Sequence, residues 1–299
     1  MIRHRSILAA AGTGLVLLVA AALAHQPEGV VYRAFHFADA AVPVMDGDLA
    51  DWDQVPEDYL FDLTHHEEIA AKLFDQYDRS DLDVRRAAVG WNERQNRLYF
   101  MAEVFDDVVR YSKPNTDSLD TFHSRLRGAH VHGADIWEIV IDADHGGELV
   151  VGHSEEAAEE MRHRSAYTQN YHLYMPPLNG EYWHWLWGKA MWLPDPQWSG
   201  MGYTFAGADT DSGTVTYETY LTPFDDLHPA GIDSSRVHDL EAGKVIGLSW
   251  AFLDADESDE KFDAFWSLSK RQGPRMCCAG EDLVDFLLVP PAESQAEAE

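Results

Sequence analysis

Residues 89–107 read VGWNERQNRLYFMAEVFDD, two apolar runs joined by the polar six-residue stretch NERQNR. A polar turn between two such runs is a hairpin signal, so Trp91 ends one strand and Leu98 opens the next. Side chains alternate along a strand, which puts Leu98, Phe100, Ala102 and Val104 on one face and Tyr99, Met101, Glu103 and Phe105 on the other. Both faces are largely apolar. This strand is therefore expected at the centre of a sheet, covered on both sides.

Outward from this hairpin, runs rich in Val, Ile, Tyr, Phe and Trp recur at 84–91, 98–105, 136–141, 167–175, 182–192, 214–221, 245–253, 264–268 and 284–289. Asn, Gly and Asp separate them, and their number and spacing predict a sandwich or jelly roll. Helical periodicity is confined to 67–77 and 154–163, the latter with Ser154 as its N-cap. The expected fold is mainly β: a jelly-roll-type antiparallel β-sandwich with one or two short helices.

The chain opens with MIRHRSILAAAGTGLVLLVAAALA, in which Arg3 and Arg5 precede an apolar run ending in Ala22-Leu23-Ala24. That pattern is a secretory signal peptide over 1–24, which predicts a secreted or periplasmic protein with no transmembrane anchor after cleavage. Residues 28–289 are expected to form one domain, and PPAESQAEAE at 290–299 a disordered acidic tail. The chain carries 52 acidic against 22 basic residues, a net charge of −30. Such a surface repels nucleic acid and anionic lipid and argues against both as partners. The two cysteines are adjacent, Cys277-Cys278. Bonding neighbours strains the ring, so they do not read as a disulfide framework; a vicinal disulfide, an intermolecular bridge and a metal-binding pair stay open.

Three Asp-rich loops have the oxygen donors that suit calcium: DGDLADWD at 46–53, DADHGGE at 142–148 and DADESDEKFD at 254–263. The candidate ligands are Asp46, Asp48, Asp142, Asp144, Asp254 and Asp256. The third loop lacks Gly at its sixth position and Glu at its twelfth and is no EF-hand. Asp also stabilises ordinary turns through local hydrogen bonds, the competing explanation for each loop. His130 and His132, with Asp135 nearby, have a spacing compatible with a transition metal. For glycoside hydrolysis two carboxylates must flank a cleft, and Glu138 or Glu218 could serve; there is no nucleophile elbow, H-E-x-x-H or phosphate loop.

Four segments together resemble family 9 carbohydrate-binding modules and their DOMON-like relatives. They are PVMDGDLADWDQVP (43–56), the hairpin at 89–107, GADIWEIVIDAD (133–144), and the pair TVTYETYLTPFDDL (214–227) and KVIGLSWAFLDADE (244–257). Their order and spacing agree with the family from about residue 40 to 289, apart from a longer middle region. The resemblance implies a jelly-roll β-sandwich that commonly carries a structural calcium and holds the end of a polysaccharide or a soluble oligosaccharide, often beside a secreted glycosidase. It also implies a sugar ring clamped between two Trp residues. Trp91 matches the first, although a core Trp would look the same in sequence. The second belongs in KRQGPRMCCAGED (270–282), which contains no Trp. A substitute could come from Trp183, Trp185 and Trp187, which alternate at period 2 and could equally be sheet packing. Hydrogen bonds to sugar hydroxyls would fall to Arg94, Arg97, Gln169, Asn170, Lys270 and Arg271.

The sequence thus predicts a non-catalytic secreted module that binds carbohydrate in its catabolism. One alternative is a haem-binding periplasmic electron-transfer subunit like the gamma subunit of ethylbenzene dehydrogenase, with Met101, Met161, Met175, Met191 or Met201 and a His as axial ligands. The other is a polysaccharide-degrading hydrolase or its accessory module.

Overall fold

A computed structural model describes residues 29–110, 135–146, 154–174, 184–186, 190, 192–208, 212–256, 262–269 and 279–291. The predicted leader, most of the tail, His130, His132, Met175, Trp183, Trp187, Met191, Lys270, Arg271, Cys277 and Cys278 lie outside them. Two packed sheets form the architecture. The first contains β5 (Ile136–Asp142), β6 (Gln169–Tyr174), β7 (His184–Leu186), β12 (Val245–Asp254), β13 (Ala264–Ser267), β14 (Val284–Leu288) and the short β2 (Glu67–Glu68). The second contains β3 (Leu82–Asn92), β4 (Arg97–Asp106), β8 (Ser199–Ala208) and β9 (Ser212–Leu221). β3 and β4 pair through Trp91 and Leu98 around the hairpin, and β4 is central, flanked by β3 and β9.

β1 (Val31–His36) runs in parallel beside β14 through Val31 to Ala34 and then beside β3 through Phe35 and His36, stitching the two sheets together. This departs from a wholly antiparallel sandwich. β1 has no hairpin connection to either neighbour, so nothing forces the antiparallel sense. A small ribbon of β10 (Phe224–Asp226) and β11 (Arg236–Val237), one α-helix, α1 (Ala157–Tyr167), and several short 3-10 helices, among them Leu49–Gln54, complete the described elements.

The core lies between the sheets. Trp137 of β5 packs against Phe100 and Tyr217 of the opposite sheet, with ring centroids 6.4 and 5.7 Å apart, while Trp250 meets Phe61 edge-on at 5.0 Å. Each such buried ring contributes roughly 1.5–3 kcal/mol through the apolar area it removes from water. A second apolar cluster covers the outer face of the β3–β4 sheet, where Phe37, Leu49, Trp52 and Val55 pack onto Ala88, Tyr99 and Met101. Both faces of β4 are therefore covered, as its composition requires.

The helix expected at 154–163 appears, shifted to Ala157–Tyr167. Ser154 precedes its cap: the N-cap is Glu156, whose backbone N–H donates to Ser154 Oγ at 3.1 Å. No helix forms at 67–77. There the buried Glu68 carboxylate accepts hydrogen bonds from the backbone N–H groups of Ala70, Ala71, Leu73 and Phe265 at 2.7–3.0 Å. It holds the chain in a loop with Lys72 and Phe74 at positive φ. Four charge-assisted bonds outweigh helix propensity, worth at most about 0.7 kcal/mol per ordinary residue.

Candidate functional site

The register across the first sheet assigns each residue to a face. Trp137, Ile139 and Ile141 point to the core, so Ile136, Glu138, Val140 and Asp142 point away from it. Cross-strand partners share a face, and one transverse row on this outer side reads Ser267, Ala251, Glu138, His172 and Trp185, one residue from each of five strands. The adjacent row reads Ser249, Val140 and Asn170. Ala251, Ser249 and Ser267 are small and fully buried, and Glu138, His172 and Asn170 lie beside them in the same rows.

These polar groups are interlocked. Glu138 accepts from Asn170 Nδ2 at 3.1 Å through one carboxylate oxygen, and its other oxygen lies 3.1 Å from His172 Nε2. All three are buried, Glu138 at 6% exposure and the other two at 0%. The Asn170 carbonyl oxygen accepts no hydrogen bond. A buried amide oxygen without a donor costs roughly 1–3 kcal/mol, so it is a position where an added hydroxyl would be welcome. The result is a buried polar cluster of carboxylate, amide and imidazole on this side of the sheet, with the backbone of Trp185 directly opposite His172.

Of the described residues singled out in the sequence, Asn170 lies on this face and the backbone of Trp185 stands opposite His172; Trp91, Arg94, Arg97 and Gln169 lie elsewhere. Trp91 is fully buried: its Nε1 donates to the Val289 carbonyl at 3.2 Å and its ring meets His36 edge-on at 4.9 Å. The strand alternation that brings Ala87 and Val89 into the core brings Trp91 there too, which corrects its expected role as a clamp. Gln169 sits opposite Ile141, on the core side of β6, with its amide donating to the Ala166 carbonyl at 2.8 Å. Arg94 pairs with Asp39 at 2.6 Å, and Arg97 lies 3.9 Å over the Tyr220 ring while donating to the carbonyls of Pro196 and Gln197. Both arginines belong to the second sheet's hairpin. Sequence reasoning treated Glu138 only as a catalytic carboxylate and missed His172; polar residues inside an otherwise apolar strand were the signal.

The Asp loops separate in the same way. Asp46 accepts from the Asp48 N–H at 2.9 Å and Asp48 from the Ala50 N–H at 3.1 Å, so both serve the backbone of their own turn. Asp142 and Asp144 both accept from the Gly146 N–H, at 3.3 and 3.1 Å. Among the described residues none of these four joins a metal-sized group of carboxylates, whereas Asp254 and Asp256 lie with Asp106 in one group whose oxygens fall within 4.8 Å of one another. Met101 and Met201 are buried in apolar clusters, as core filler rather than axial ligands. Glu138 and Glu218 lie on the outer faces of opposite sheets, so they do not flank one cleft.

No protein-family model matches the sequence, and no curated relative matches it. Among solved structures, the chain is similar to a family 9 carbohydrate-binding module from Caldicellulosiruptor kristjanssonii in complex with cellotriose. The two are 12% identical, the match covers 88% of this chain and 96% of that one, and the TM-score is 0.52. The glucose complex of a family 9 module from the same organism matches at 13% identity, covering 88% and 97%, with a TM-score of 0.46. The chain has the fold of a family 9 carbohydrate-binding module.

Proposed function

We propose that this protein is a non-catalytic carbohydrate-binding module that holds a poly- or oligosaccharide on the outer face of its first sheet. The observation that carries this reading is the buried Asn170 carbonyl oxygen, left without a donor beside the Glu138–His172 pair. In this reading Asn170 and Glu138 accept hydrogen bonds from sugar hydroxyls, and Trp185 supplies the apolar surface on which a sugar C–H face stacks. The likeness to a module holding cellotriose supports the choice of ligand class.

Two further parts of the reading rest on the sequence. The leader at 1–24 takes the protein to the periplasm or beyond the cell, and its work there is polysaccharide catabolism beside a secreted glycosidase. No helix among the described residues is long and apolar enough to cross a membrane.

Affinity electrophoresis through gels containing β-glucan, with Glu138→Gln and Trp185→Ala beside the wild type, tests the proposal. Retardation of the wild type that is lost in both variants is expected. Equal mobility of all three in every gel would sink it.

A further inference from the structure

Between α1 and the turn that follows β10 lies a cleft of about 250 Å³, walled by Glu159, His163 and Tyr167 on one side and Asp226, Leu227 and His228 on the other. The three helical residues are spaced four apart, which stacks their side chains along one face of α1. The Leu227 N–H donates to the Ala166 carbonyl at 2.8 Å and fastens the opposite wall to the last turn of the helix. The cleft is thus built from the helix and the small ribbon, apart from the outer face of the first sheet.

Both walls are held in place. The Trp192 indole donates to the His228 carbonyl at 3.0 Å, and Ser235 Oγ accepts from the His228 N–H at 2.9 Å. His228 Nδ1 accepts from the Ala230 N–H at 3.1 Å, which fixes the orientation of the ring. On the helix, Glu159 accepts from Ser154 Oγ at 2.8 Å, and the rings of His163 and Tyr167 meet edge-on with centroids 5.3 Å apart. A cleft whose walls are already positioned pays little ordering entropy when a ligand enters.

The charge of the cleft selects the sign of that ligand. Glu159 and Asp226 supply two carboxylates, and no Lys or Arg lines the cleft. The arginines of the flanking elements are turned to carboxylates outside it, Arg164 to Glu160 and Arg236 to Asp225, each at 3.1 Å. α1 meets the cleft at its C-terminal end, through Ala166 and Tyr167, where the helix dipole is negative. A bare metal ion does not suit the geometry: among the described residues, no three of these carboxylate and imidazole groups bring donor atoms within 4.8 Å of one another. An organic cation can bridge wider gaps, and Tyr167 offers an aromatic ring to an ammonium group. The volume lies below the roughly 300–1,000 Å³ of clefts that take drug-sized ligands, so the cation must be compact.

We infer that this cleft binds a small organic cation, an ammonium group on a body no larger than a monosaccharide, with Glu159 and Asp226 as counter-charges and Tyr167 as the aromatic wall. Free alkylammonium compounds and amino sugars share that chemistry. The inference does not rest on carbohydrate binding at the outer face.

The test is titration calorimetry with choline chloride, D-glucosamine and the neutral D-glucose, in about 0.15 M sodium chloride to screen unspecific attraction to the acidic surface. The proteins are wild type, Glu159→Gln, Asp226→Asn and Asp53→Asn, the last making the same charge change at an exposed position away from the cleft. Wild type should bind at least one of the two cations saturably at a single site, with glucose at least ~5-fold weaker. Glu159→Gln and Asp226→Asn should each weaken the cation at least ~5-fold, and Asp53→Asn should bind as wild type does. If one cleft variant fails to fold by circular dichroism, the other gives the reading. Binding of glucosamine without choline would identify an amino sugar, and binding of choline a free alkylammonium. No saturable binding of either cation, glucose binding as tightly as glucosamine, wild-type affinity in both cleft variants, or an equal loss in Asp53→Asn would overturn the inference. Glu138 and Asn170 are intact in every variant, so failure here leaves the carbohydrate proposal standing.

Discussion

Glu218 ties the opening turn of the domain to the second sheet, and replacing it should unfasten the outer apolar layer. Its carboxylate, on the fully buried β9 position, accepts from Trp52 Nε1 at 2.9 Å, the Gly47 N–H at 2.7 Å and the Asp46 N–H at 3.2 Å. Gly47 has φ +80°, and a Cβ there would sit 2.3 Å from the Tyr203 backbone, so the turn has no freedom to find other partners. In Glu218→Gln one oxygen becomes an NH₂ that cannot accept, so one or two of the three bonds are lost. Hydrogen bonds to a charged acceptor are worth about 1.5–3 kcal/mol each. Part of that loss is offset, because burial raises the Glu218 pKa and a neutral amide is cheaper to bury. The net expectation is about 2–4 kcal/mol of destabilisation in urea unfolding followed by circular dichroism. Trp52→Phe removes the indole donor and keeps a ring, and the double variant should lose less than the two singles combined. A change under about 0.5 kcal/mol in Glu218→Gln, the range of an ordinary surface substitution, would refute the anchoring role.

Two further outcomes follow from burial. Trp91→Ala should destabilise the fold by about 3–5 kcal/mol, the cost of emptying a core aromatic site, and a variant of unchanged stability in urea would return Trp91 to the surface. His66 is fully buried, with Nδ1 2.9 Å from the Asp62 carbonyl and Nε2 2.9 Å from Trp250 Nε1. Burial, with a smaller contribution from the charge of His65, lowers its pKa to about 4 despite the opposing pull of Asp62. The unfolded chain binds this proton more tightly, so the neutral folded His66 contributes stability above the unfolded pKa near 6.5 that is lost as pH falls toward 4. The loss is about 3 kcal/mol by linkage. Urea midpoints of wild type and His66→Gln between pH 7 and 4 should converge as pH falls; parallel curves would exclude His66 as the source.

The fold was largely legible because its strands carry their own alternation. The runs at 84–91, 98–105, 136–141, 214–221 and 245–253 are strands β3, β4, β5, β9 and β12 within a few residues. β8 escaped notice because its sequence, SGMGYTFAGA, reads as turn. Its glycines are demanded from outside: a Cβ at Gly200 would sit 2.4 Å from the Tyr220 ring, and one at Gly202 2.3 Å from Met45 backbone. Trp52, within the segment 43–56 that carries part of the family resemblance, is 2% exposed in the outer cluster.

The site was less legible, since a face is defined by cross-strand register and sequence gives only the alternation within each strand. Glu138, His172 and Trp185 are 47 positions apart from first to last, yet occupy one transverse row. Trp91 misled for the opposite reason. Its place before a hairpin turn is compatible with either face, and parallel pairing with β1 at His36 closes over it. The acidic group of Asp106, Asp254 and Asp256 needed three dimensions for the same reason, because its members meet only when the two sheets stack.

The most direct test of carbohydrate binding on the outer face is titration calorimetry of wild type and Asn170→Ala with cello-oligosaccharides. Asn170 contributes one 3.1 Å bond to Glu138 and an oxygen with no donor, so its removal should cost about 1 kcal/mol of stability or less. Saturable binding by wild type, weakened at least ~10-fold in Asn170→Ala as the loss of about 1.4 kcal/mol of ligand contact requires, is the predicted result. Wild-type affinity in Asn170→Ala, or no binding of any oligosaccharide by the wild type, would contradict it.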